Sequence, residues 1–218
     1  MPLTFPLALD AFFADLCIAE ARFDLDEALS ISETGGGEIL TAQRGVQLWR
    51  GSVTLAPARA IPSEAMRTKI DVLRRPGATF FVEHPFLRFP QADPTGVVML
   101  GHTPTVSALV GNARELSIAG LPTHYRISEG DHLSIAYGSG GGKRAYFRVV
   151  TGAPATSGVA GPIEVAPFIP AGVAVGNAVQ IIRPAIKAVM VPGSYSGPDL
   201  RPGQIAGPVR FDWVQTTA

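Results

Sequence analysis

Residues 130–150 read GDHLSIAYGSGGGKRAYFRVV, and the rest of the chain is best understood from this stretch outward. Leu133, Ile135 and Tyr137 alternate with Ser134, Ala136 and Gly138, giving a strand with one apolar face and one small or polar face. Ala145, Phe147 and Val149 alternate in the same way with Arg144, Tyr146 and Arg148. Ser139 to Gly142 supply the turn between the two, and Asp131 stands just before the first strand, where a turn residue belongs. The run GSGGGK invites comparison with a phosphate loop. That loop needs Gly, four residues, then Gly-Lys-Ser/Thr, whereas here Tyr137 holds the first position and Arg144 the last. No helical pattern follows Lys143 to aim amide dipoles at a phosphate. The stretch therefore predicts a β-hairpin, and its message concerns architecture.

Composition agrees with that emphasis. Gly 24 and Pro 19 among 218 residues make about a fifth of the chain, against a usual share nearer 12%. A hydrophobic share of 46% excludes general disorder, and many turns with enough apolar residues favour short strands. The formal net charge is +0, which gives no electrostatic drive toward nucleic acid or an anionic membrane. Cys17 is the single cysteine and cannot form an internal disulfide; its apolar, strand-like setting predicts a buried structural thiol rather than a nucleophile. The opening MPLTFPLALDAFF lacks a basic n-region and does not read as a signal peptide. Residues 165–182 carry no charge, but Pro167, Pro170, Gly172 and Gly176 oppose a spanning helix, so they read as strand, turn and strand.

Before the hairpin, Leu7 to Leu16 suggest a short helix, and Cys17 to Leu25 a strand with Cys17, Ala19, Ala21, Phe23 and Leu25 on one face. Gly35 to Gly37 form a turn or loop. Glu38 to Arg44 and Val46 to Pro57 read as strands, the latter marked by Trp49, Val53 and Leu55, with Gly51 as a candidate bulge. Ser63 to Arg75 is the clearest helix: Ser63 suits an N-cap, Met66, Ile70 and Leu73 recur at helical spacing, and Pro76-Gly77 stops it. Arg74 and Arg75 read either as charges complementing the helix end or as an anion site. Ala78 to Glu83 is a strand, and the turns from His84 to Pro94 mark a boundary.

Beyond it, Val97 to Leu100, Val106 to Val110, Leu116 to Ala119, Ile163 to Pro167, Ala178 to Ile182 and Ala185 to Val191 are strand candidates. Ser194 to Gly207 is a Gly/Pro-rich loop, and Val209 to Val214 a closing strand.

Charge is unevenly spread. Residues 1–40 hold eight acidic residues and one basic one; residues 41–90 hold eight basic and three acidic ones. Either the two regions compensate within one chain, or they form a head-to-tail contact between identical subunits, with Asp24 and Asp26 facing Arg74 and Arg75. No catalytic constellation is visible. His84, His102, His124 and His132 lack metal-ligand spacing, and GSYSG at 193–197 places Tyr195 where a nucleophile elbow needs serine. No cofactor or metal site is expected, and neither is an enzyme.

The sequence resembles the distal tail proteins of long-tailed, siphovirus-like bacteriophages and of prophage and gene-transfer-agent tails. The resemblance rests on LSIAGLP, then ISEGDHLSIAYG, the basic-aromatic KRAYFRVV, and GPIEVAPFIPAGVAVGNAVQIIRP, with LWRGSVTLAP, a helix and FFVEHP before them. It implies a mainly β chain: a β-sandwich/barrel-like ring-forming domain with one α-helix (residues 1–94 with 185–218), plus a compact inserted β-barrel/sandwich-like domain (95–184). It also implies a structural virion protein at the tail tip, made in the host bacterial cytoplasm. Its subunits would form a hexameric ring joining the tail tube protein to hub or tip proteins, with no nucleic-acid sequence recognition and no membrane insertion. The alternative function is a baseplate accessory module that binds host glycan, using Tyr125, Tyr137, Tyr146, Phe147 and Phe168 of the inserted segment as a thin stacking platform.

Overall fold

The computed structural model describes residues 3–201 and 205–217. The chain is mainly β, with a single α-helix among these residues, and every ladder between its strands is antiparallel. Its architecture is β-sandwich and barrel-like, and its apolar residues collect in two cores.

The first core lies on a five-stranded sheet in the order Ile18–Leu25, Trp49–Leu55, Arg210–Gln215, Ala185–Met190, Phe80–Glu83. Alternation places Trp49, Val53 and Leu55 inward from one strand and Phe211 and Trp213 inward from another, all buried. Phe12, Phe13, Ile70, Leu73 and Phe80 complete this core at 0–2% exposure. Gly51 forms no bulge: it pairs in register with both Phe23 and Trp213, and a Cβ there would stand 2.1 Å from the Arg22 carbonyl oxygen and 2.7 Å from the Trp213 ring. The bulge in this strand pair falls instead between Ile18 and Glu20.

The second core is the interior of a closed barrel. His132–Tyr137 pairs with Lys143–Thr151, which pairs with Val159–Ala166, then Glu115–Ala119, then Thr105–Leu109. Val179–Gln180 pairs with the far side of His132–Tyr137. The ring closes where Thr105 bridges Ala178, with Val106 N donating to Asn177 O (2.9 Å) and Val179 N to Pro104 O (2.9 Å). Leu116, Ile118, Ile135, Phe147, Ala160 and Ile163 fill it at 0% exposure. At the tip of the opening hairpin Gly138, Gly140 and Gly141 all have positive φ, so these glycines make a tight turn.

Several local expectations change. The segment 7–16 forms two short 3₁₀ turns, Leu9–Ala11 and Phe13–Asp15, because Phe12, between them, leaves helical geometry at ψ −72° with φ −144°. The helix runs Ala60–Leu73, so Ser63 lies inside its first turn rather than at its cap. Pro62 is compatible with that start because the first-turn N–H groups have no intrahelical acceptor. Val97 to Leu100 are turns, not a strand; the buried Asp93 carboxylate gathers them, accepting the Met99 N–H at 3.0 Å. Cys17 is exposed rather than buried, since the strand begins one residue later. Leu29–Glu33 is an additional strand, paired with Ile39–Gln43 across the Gly35–Gly37 turn. Residues 202–204 of the Gly/Pro-rich loop lie outside the described residues; around them Leu200–Arg201 and Ile205–Ala206 form a small ladder with Ala58–Arg59. No helix among the described residues is long and apolar enough to cross a membrane.

Candidate assembly surface

The two cores meet along the second face of the opening hairpin. His132, Ser134 and Tyr146 point away from the barrel interior and are 5%, 0% and 1% exposed. Tyr146 belongs to the packing of the five-stranded sheet, where Trp49 Nε1 donates to its carbonyl at 2.9 Å. Phe23 and Trp49 pack against its ring at centroid separations of 5.5 and 5.4 Å, and Trp213 packs in turn on Phe23 at 4.8 Å. Ser134 Oγ accepts the Ala185 N–H, and Gln215 Nε2 donates to Arg144 O. The face that reads as small or polar in sequence is thus a buried seam, and its polar atoms bond across it.

Histidines 84 and 132, 48 residues apart in sequence, come together here with ring centroids 5.3 Å apart. His84 Nδ1 accepts the N–H groups of Phe86 and Leu87, which requires that nitrogen to be unprotonated. Burial, with Arg148 nearby, holds His84 below its usual range. Burial pushes His132 down to about 3, helped by His84 and Arg148. His132 Nδ1 shares a hydrogen bond with the Tyr146 hydroxyl. His102 and His124 are exposed elsewhere.

Both chain crossings are fastened by one carboxylate. Glu83, fully buried at the end of its strand, receives Arg183 at 2.9 and 3.2 Å and Arg88 at 3.1 Å. Arg183 also reaches the exposed Asp10 at 3.1 Å.

The outer face of the five-stranded sheet presents its charges to solvent along an open groove of about 920 Å³ lined by Arg22, Asp24, Asp26, Arg50, Arg210 and Asp212, among others. The four residues singled out from charge distribution fall in two places. Asp24 and Asp26 line this groove, paired with Arg22 and Arg50. Arg74 lies at the helix end, bonded to Asp71 at 3.2 Å and stacked 5.1 Å from the Tyr195 ring centre. Arg75 beside it is exposed and has no ion pair among the described residues. The structure does not join the two pairs within one chain, and it engages three of the four locally.

Two features missed in the sequence stand out on this unit. The Leu7 segment covers one sheet edge by bonding to Phe80–Glu83: Leu7 N donates to Thr79 O and Phe81 N to Leu7 O. The opposite edge, Ile18–Leu25, has no further strand partner among the described residues. From the same end projects the hairpin Leu29–Glu33/Ile39–Gln43, whose ten residues are all exposed, with Ile31 67% and Ile39 64% exposed. The alternation LSISE followed by TGGG was the available signal for its first strand.

The aromatic platform does not materialise in the barrel. Tyr125, Tyr137, Tyr146 and Phe147 are all buried, and only Phe168 is exposed, with Arg114 over its ring at 4.8 Å. Ser194 of GSYSG bonds to Val191 O, a turn contact. Among the described residues no three His, Cys, Asp or Glu side chains cluster as a metal site. No family model matches the chain, and no curated protein matches its sequence.

Proposed function

We propose that the chain is the structural subunit of a ring at the distal end of a phage-type tail, linking tail tube to hub or tip proteins. Its exposed apolar hairpin carries this reading. A two-stranded hairpin is marginal by itself in water, and this one displays Leu29, Ile31, Ile39 and Leu40 at 45–67% exposure. Such a surface suits an assembly contact. The bare edge Ile18–Leu25 on the same unit supports the same reading, because an unpaired edge is a template for another chain. The place of the ring in a tail rests on the motif resemblance around Gly130-Asp131, Arg144 to Val150 and Ile163 to Pro184. The reading is structural, not enzymatic, and burial of four of the five barrel aromatics disfavours the glycan-binding module.

Native mass measurement with negative-stain imaging tests it. The expected species is a closed ring with six times the 22.9 kDa mass of one chain. Replacing residues 28–44 with a short Gly-Ser linker should abolish the ring while leaving a folded monomer. A wild-type chain that remains monomeric at high micromolar concentration overturns the reading.

A further inference from the structure

The charges that remain unpaired after folding indicate how one copy meets the next. Glu27, Glu33 and Glu38 on and beside the hairpin are exposed and have no ion pair among the described residues, and neither has the exposed Arg44 just after it, whereas Asp24 and Asp26 are paired within the chain. On the helix, Arg67 is engaged by Glu64, Lys69 by Asp15 and Arg74 by Asp71. Arg59, immediately before the helix, and Arg75, just after it, are exposed and have no ion pair among the described residues. Ile61, in the helix's first turn, is 80% exposed. The hairpin is thus apolar with a net spare negative charge, and the helix offers an exposed apolar side chain in its first turn and a spare positive charge at each end.

Chain topology keeps these surfaces apart. The hairpin enters the strand Trp49–Leu55 at its Trp49 end, and the helix follows from its Leu55 end. Seven strand residues separate the two ends by about 20 Å. No ion pair joins these complementary surfaces within a copy among the described residues, but they can meet in a head-to-tail series, which closes into a ring when the rotation permits. We propose that the hairpin Leu29–Gln43 of one copy lies across the helix Ala60–Leu73 of the next, with Glu33 and Glu38, side by side at the hairpin tip, set in the positive field of Arg59 and Arg75 at the helix ends. This inference rests on the ring reading and names its contact.

Charge reversal tests it with two variants of the full chain. E33K/E38K makes the hairpin basic; R59E/R75E makes the helix face acidic. All four positions are exposed, so circular dichroism and melting should match wild type. Each variant alone should weaken assembly at least about tenfold by sedimentation. Mixed in equal amounts, they should reassemble as an alternating ring, because each reversed surface then finds its complement, and this recovery should weaken with added salt. Wild-type assembly with no loss in either variant, or loss with no recovery on mixing, overturns the proposed contact and leaves the ring intact. A monomeric wild type overturns both.

Discussion

The barrel and the five-stranded sheet use similar antiparallel strands but treat their edges in opposite ways. In the barrel the Thr105–Ala178 bridge joins the last strand to the first, leaving no free rim along the closed ladder. In the open sheet, the Leu7 segment covers one edge and the other has no strand partner among the described residues. A closed ladder satisfies its backbone internally, whereas an open one retains unpaired N–H and C=O groups that a neighbouring chain can meet. The closed ladder satisfies its own backbone, whereas the sheet keeps one edge without a strand partner among the described residues.

The sharpest way to break this comparison is to ask whether the two units are energetically separate. Phe147→Ala in the barrel and Phe80→Ala in the sheet each remove a ring at 0% exposure and should each cost about 3–5 kcal/mol. If the Trp49–Tyr146 seam and the Glu83 clamp couple the units, calorimetry will show one transition that moves as a whole in both variants. Two transitions, with only one displaced in each variant, would make the units independent.

The clamp gives the next effect. Arg183→Ala leaves the buried Glu83 carboxylate with Arg88 alone and should cost about 3 kcal/mol in denaturant unfolding. Asp10→Ala removes only the exposed partner of the same guanidinium and should change stability by less than about 0.5 kcal/mol. Equal effects would show that the buried geometry is not what matters.

Lowering the pH probes the seam from the other side. A histidine held neutral by burial binds its proton on unfolding, so its contribution to stability is fully present above the ordinary histidine pKa near 6.5. That contribution fades as pH falls toward about 3 for His132. His84 shifts in the same direction and adds to the effect. The slope should reach about 1.4 kcal/mol per pH unit for each proton taken up only on unfolding. Denaturation midpoints should change little between pH 7.5 and about 6.5 and fall with growing slope from there to pH 5, and His132→Gln should flatten the fall. An unchanged slope in that variant would remove His132 from the account.

Much of the fold was legible because it is written in local periodicity. Alternation in 132–137 and 143–151 marked both strands of the hairpin, and Met66, Ile70 and Leu73 marked the helix face. The boundary errors occurred where a long-range partner overrides a local signal. Ser63 has the chemistry of a cap, but the helix begins at Ala60, directly after the Ala58–Arg59 ladder with Ile205–Ala206. Val97 to Leu100 are apolar enough for a strand, but the amides around Met99 turn toward the Asp93 carboxylate. Asp24 and Asp26 drew attention as net charge, and their neighbours Arg22 and Arg50 answer them at short range.

What the sequence determined by itself was the strand and helix grammar: which residues alternate, where glycine turns the chain, and that one hairpin has an apolar and a polar face. Tertiary structure decided what the polar face meets, that one sheet closes and the other does not, and which charges remain unanswered. These are long-range outcomes. Alternation specifies two faces of the hairpin at 130–150, and only packing against Trp49, Ser134's partner Ala185 and Gln215 turns the second face into a core.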